Sequence, residues 1–195
     1  MPQISTQEFE RLPLRVHTFL AGVPLHDVWA VDLPRVRSGI TLDEFLRVSG
    51  APPYRPSPVV RALIGFRFFL GRVLGWDSEP DATVRETFAT RLTSADISRS
   101  LAPAGTPEGP FRIVYRFEDE QLLELSNRTA HAAALSALVE TAGAYRFYFG
   151  VYVRNVGRWT PVYMALIDPF RKLLVYPSLL RSIRTTWNQT FSAAR

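Results

Sequence analysis

The sequence predicts an α+β domain in which a curved antiparallel sheet wraps round a long C-terminal helix. Three observations lead there. An early strand is followed by helical segments, residues 111–163 switch to period-two alternation, and the chain then returns to helical spacing. Strands gathered in one block, with helices to either side, mark α+β architecture rather than a regular βαβ alternation. Such a sheet and helix are expected to leave between them a cavity lined by apolar side chains with few polar groups.

The elements follow in order. Residues 8–21 are expected to form a short helix stopped at Gly22. Asp27–Leu33 reads as a strand ended by Pro34. Thr41 and Glu44 form a Thr-x-x-Glu capping-box pattern, and the helix they open stops at Gly50. Four prolines between 52 and 58 make a stiff link. Ser57-Pro58 then offers a cap and first-turn pair for a helix to about Leu74, with Gly75 as its stop. Residues 83–101 read as a weakly amphipathic helix, and 103–110 as a loop rich in proline and glycine. Phe111, Ile113, Tyr115 and Phe117 alternate with Arg112, Val114, Arg116 and Glu118, a half-buried strand, and Glu118-Asp119-Glu120 is a turn candidate. Leu123, Leu125, Asn127, Thr129 and His131 share one parity, opposite to Glu124 and Arg128. Thr129–Thr141 prefers helix by propensity, yet the alternation up to His131 favours strand to about residue 133. Tyr145, Phe147, Phe149, Val151 and Val153 alternate with Arg146, Tyr148, Gly150, Tyr152 and Arg154. Asn155-Val156-Gly157 is a hairpin turn from which residues 158–163 return. Asp168-Pro169 caps a last helix that Pro177 bends or restarts and that runs on to about Trp187. No internal repeat or low-complexity segment is present.

Composition narrows the function classes. The chain has 195 residues, 47% hydrophobic and 21% charged, which is ordinary for a globular domain and excludes a disordered tail or a fibre. With no Cys there is no disulfide, thiolate nucleophile or cysteine zinc site, and with three His a metal site would lean on carboxylates. The net charge of +5 is unevenly placed: residues 141–195 hold seven Arg and Lys172 against the single acid Asp168. A basic end suits phosphate, an anionic membrane or an acidic partner, and equally a solvated helix face. Arg outnumbers Lys by 22 to one, which reads first as genome base composition. Neither greasy stretch, Val59–Trp76 or Pro161–Leu180, is free enough of charge to span a membrane, and no signal peptide is evident, so a cytoplasmic location is expected. No RNA-recognition strand motif appears, and no nucleic acid is expected.

The candidate chemistry is sparse. Asn127, Thr129 and His131 fall on one strand face that the parity of Leu123 and Leu125 turns inward, and buried polar groups there must bond one another or a ligand. His131 is the one group suited to proton transfer near neutral pH. Tyr115, Tyr145, Phe147 and Phe149 are inward aromatics, core or pocket wall. Glu124, Arg112, Arg116, Arg146 and Arg154 fall on outward parities and are expected in solvent. Asp168 has a sufficient role as a helix cap, and Asp27 and Asp32 lie on opposite strand faces. No serine-nucleophile elbow, glycine-rich dinucleotide loop or metal-ligand cluster is visible, so no cofactor is expected.

Three segments carry a family resemblance. Leu12-Pro-Leu-Arg15, Phe19-Leu-Ala-Gly22 and Asp27-Val-Trp-Ala-Val-Asp-Leu-Pro34 resemble the opening of the bacterial domain-of-unknown-function family 2867. Leu123-Glu-Leu-Ser-Asn-Arg-Thr-Ala-His131 resembles its central motif. Tyr163–Arg171 with Val175–Leu180 resembles its closing segment. The family is similar to the START-like, SRPBCC or helix-grip superfamily of polyketide cyclases and lipid-transfer proteins. The resemblance implies one helix-grip domain over residues 12–190, preceded by an extension of residues 1–11. It implies a hydrophobic pocket and no established activity. The expected function is binding of an apolar or amphipathic small molecule by Tyr115, Asn127, Thr129, His131, Phe147 and Phe149. The alternatives are a cyclase- or hydratase-like enzyme using His131 as acid–base, and a membrane-surface or protein-interaction module. The sequence leaves the oligomeric state open.

Overall fold

The computed structural model of the chain describes residues 3–50, 65, 87–126, 131–154 and 168–191. The expected helix to Leu74, Asn127, Thr129, the turn at 155–157 and the strand 158–163 lie outside them.

The first expected helix is two. Ser5 caps α1 (Thr6–Glu10) by accepting from the Glu8 N–H, and α2 (Val16–Phe19) starts afresh beyond Pro13. Proline has no N–H to give and its ring clashes with the carbonyl four residues back, so one helix cannot run through. Phe9 is fully buried, so α1 packs into the core. Strand β1 (Leu25–Pro34) follows. Thr41 then caps α3 (Leu42–Ser49) through the Glu44 N–H, as its spacing predicts, and Gly50 ends it at φ +73°. The Glu44 side chain turns to Arg37 instead of closing the box.

The helix expected over 83–101 is, within the described residues, a 3-10 turn (Phe88–Arg91) and the short α4 (Ser94–Arg99). Thr93 and Asp96 build a complete capping box for α4, and that new start interrupts any longer helix. The sheet follows as β2 (Pro107–Glu108), β3 (Phe111–Arg116), β4 (Glu120–Ser126), β5 (His131–Glu140) and β6 (Ala144–Arg154). A wide π turn (Arg171–Val175) leads into α5 (Tyr176–Phe191). The Tyr176 N–H bonds back to the Arg171 carbonyl. This wider pitch stands one residue ahead of Pro177, which has no N–H for the Leu173 carbonyl.

The six strands form one curved antiparallel sheet in the order β1-β6-β5-β4-β3-β2. Residues 123–131, expected as one strand, are the end of β4 and the start of β5, with Ser126 opposite His131. Strand, not helix, then holds through Glu140. Each residue from His131 to Glu140 is registered against β6, and β4 flanks the other side. Pairing on both edges overrides the helix propensity of the alanines.

The sheet is buried on both faces. Phe9, Val16 and Phe19 cover one face with Phe88, against Tyr115, Leu122, Leu135, Tyr148 and Tyr152. The other face receives α3 and α5, where Phe45, Leu180, Ile183 and Trp187 pack on Leu33, Tyr145 and Phe147. The Trp187 Nε1–H donates to the Pro34 carbonyl at 3.0 Å, and the Tyr145 hydroxyl accepts from Ile40 N–H and donates to the Arg37 carbonyl. Among the described residues no helix is long and apolar enough to cross a membrane.

Candidate functional site

The sheet separates the residues expected to share one pocket. His131 and Tyr115 lie on the face covered by α1, α2 and the 3-10 turn. Phe147 and Phe149 lie on the opposite face, under α5. Phe147 is buried in that core, whereas Phe149 is only half-buried at its rim.

On the first face, His131 is 1% exposed. Its Nε2–H donates to Glu124 Oε1 at 2.5 Å, and its ring stacks on Phe88 with centroids 4.1 Å apart. The Phe88 N–H donates to the same carboxylate oxygen at 3.0 Å, and His131 Nδ1 is buried without a partner. Glu124, expected in solvent, is thus buried. Ser126 is registered antiparallel to His131, so β4 and β5 do not share one parity, and register brings Glu124 and His131 to the same face. The arginines expected in solvent on outward parities are likewise divided. A bulge between Ile113 and Tyr115 puts Arg112 and Arg116 on opposite faces. Arg116 pairs with Glu108, Arg146 with Asp32 and Glu8, and the Arg154 guanidinium lies 4.9 Å from the Phe88 ring centre.

Glu120 lies on the same face, fully buried, with neither carboxyl oxygen hydrogen-bonded. Burial, helped by neighbouring Asp119, pushes it up to about 7, against the pull of the facing Tyr115 hydroxyl and the Arg15 and Val16 N–H groups. Burial also raises Tyr115 well above its ordinary value, and its hydroxyl has no hydrogen-bond partner.

A second polar cluster lies where β1 meets the helix entering α5. His26 Nε2–H donates to both oxygens of Asp168 at 2.9 and 3.0 Å. Arg171 reaches Asp168 at 3.0 Å and Asp27 at 3.5 Å, donates to the Tyr176 hydroxyl, and stacks over that ring at 5.1 Å. Lys172 lies 3.3 Å from Asp168. Asp168 is therefore helical and paired instead of acting as a cap. Burial alone would raise its carboxyl, but His26, Lys172 and Arg171 hold it below the usual range. Asp27 is different: its side chain is fully buried, burial outweighs Arg171 and His26, and the carboxyl is raised. Among the described residues its Oδ1 has no partner, nor has the buried Trp29 Nε1–H. Both residues stand against Tyr176, whose ring is 5.4 Å from Trp29 and 5.6 Å from Phe149. Half-buried Phe149, Val151, Val175 and Leu179 border this end of the helix.

Sequence reasoning passed over this cluster because its parts are about 140 residues apart. The available signal was that two of the family-like segments each carry an aspartate close to an aromatic residue, Asp27 near Trp29 and Asp168 near Phe170. His26, Asp27 and Asp168 bring one donor atom each within 4.8 Å of one another, a three-ligand cation geometry. Arg171 and Lys172 already bind those carboxylates, so a divalent ion would have to displace two cations, and the fit is poor. Elsewhere, a groove of about 660 Å³ runs along the outer edge of β1, walled by Ile4, Glu8, Asp32, Arg146 and Arg184.

Residues 19–178 match the family described as "Protein of unknown function (DUF2867)". No curated protein and no solved structure is matched.

Proposed function

The chain belongs to the DUF2867 family, and from the geometry of its second cluster we propose that it binds a small amphipathic molecule between the sheet and the N-terminal end of α5. One observation carries the reading: Asp27 Oδ1 and Trp29 Nε1–H are buried, unpartnered and gathered around Tyr176. An orphaned acceptor and an orphaned donor cost about 1–3 kcal/mol each unless something bonds them. A molecule with a hydroxyl or amide at one end answers both, while Phe149, Val151 and Leu179 take its apolar part. The order of the described strands, with β1 beside β6 and the C-terminal helix on one face, supports the START-like, helix-grip reading. Acid–base use of His131 finds no such support, since Glu124 and Phe88 enclose its ring.

The test is native mass spectrometry of freshly purified protein with solvent extraction, together with titration by the naphthalene-sulfonate dye ANS. Wild-type protein should carry a discrete extractable mass or bind ANS saturably, and Asp27→Asn, Trp29→Phe and Phe149→Trp should each weaken that binding. An apo mass together with dye binding indifferent to all three variants would overturn the proposal.

A further inference from the structure

The turn that carries Asp168 and Arg171 also leaves three large apolar side chains outside the fold. Phe170 is 50% exposed, Leu173 74% and Leu174 41%. Other exposed apolar residues, such as Val36 and Val48, come one or two to an element. The π turn explains the difference. Its wider pitch sends Arg171 inward to Asp27, Asp168 and Tyr176 and turns Leu173 and Leu174 away from the buried stripe of Tyr176, Leu180 and Ile183.

Among the described residues after Glu140 the charge is predominantly positive. Asp168 is the one acid after Glu140, and it is occupied by His26, Arg171 and Lys172. Arg181 and Arg184 are exposed on α5, away from its buried stripe, and Lys172 stays partly exposed beside Leu173. A second copy of the chain would bring the same positive charge against itself. An anionic bilayer complements both features, because phenylalanine and leucine insert at the acyl boundary while arginines meet the phosphates.

We infer that the Phe170–Leu173–Leu174 turn docks this protein on an anionic lipid surface. The inference stands apart from the small-molecule site: it needs neither Asp27 nor Trp29.

The experiment is co-sedimentation of the full chain with vesicles of phosphatidylcholine alone or of phosphatidylcholine with phosphatidylserine, at low and high salt. Wild-type protein should pellet with the anionic vesicles at low salt and stay in solution with the neutral ones. Leu173→Glu/Leu174→Glu changes two solvent-facing residues, so it should keep the wild-type circular dichroism and lose about tenfold or more in bound fraction. Arg181→Glu/Arg184→Glu should lose a comparable amount. No pelleting with anionic vesicles would overturn the inference. So would pelleting that ignores the leucine pair, which would mark bulk charge alone. A concentration-dependent dimer abolished by the leucine pair, without lipid binding, would reassign the turn to self-association.

Discussion

Replacing Glu120 by glutamine should make the protein more stable above neutral pH and leave it unchanged in mild acid. The reasoning starts from a carboxyl that is fully buried, faces the Tyr115 hydroxyl and has no hydrogen bond of its own. Its raised value means that the folded chain holds a proton which the unfolded chain releases at lower pH. Stability is therefore fully present below the ordinary 4.5 and is lost as pH rises through about 7. That displacement is on the order of 3 kcal/mol, a sizeable share of a domain's total. The assay is urea denaturation followed by tryptophan fluorescence, from about pH 5 to about pH 8, on wild type and Glu120→Gln. Other titrating groups are common to both chains, so the difference between the two curves isolates Glu120. The variant should gain up to about 3 kcal/mol over wild type at the alkaline end and almost nothing at the acid end. Parallel curves would refute the reasoning, because a group that titrates alike in both states cannot make stability depend on pH.

Two further outcomes follow from the cores on either side of the sheet. Glu124→Ala leaves the His131 Nε2–H and the Phe88 N–H without their shared acceptor, and it should cost about 3 kcal/mol at neutral pH by denaturant titration; a cost below about 0.5 kcal/mol would mean the buried pair contributes nothing. Trp187→Ala empties the space between Phe45 and Tyr145 and breaks the bond to Pro34, and it should cost about 3–5 kcal/mol, read as a lowered urea midpoint with unchanged slope.

What was legible in the sequence is what short-range chemistry decides. Thr41 caps its helix through Glu44, the residues from Phe111 to Arg116 form β3, though a bulge after Ile113 breaks the expected alternation and buries Val114 beside Tyr115, and the apolar spacing of Leu180 and Ile183 is the buried stripe of α5. Errors arose where one element was read as continuous. A single parity carried through residue 131 puts Glu124 in solvent, although Ser126-Asn127 is a turn-favouring pair by residue type. The two-sided burial of β6 was also visible, since Phe147 to Val153 is nearly unbroken in apolar and aromatic residues, the pattern of a strand covered on both faces. The meeting of Asp27 with Arg171, and of Phe88 with His131, had no local signal. Those contacts depend on which strand lies beside which.

That strand order also sets a schedule for synthesis. Asp27 of β1 pairs with Val151 of β6, the last of the described strands. At ~5–20 residues per second, the intervening chain takes on the order of ten seconds to emerge from a ribosome. In that interval β3 and β4 can zip into a hairpin within about microseconds of becoming available. Among the described residues the ten of β1 have from earlier chain only the single bridge of Gln3 to Trp29, and their strand partner is β6. The first strand made is the last to be satisfied, and a nascent chain stopped short of Ala144 presents Val28, Trp29 and Val31 to whatever chaperone holds it.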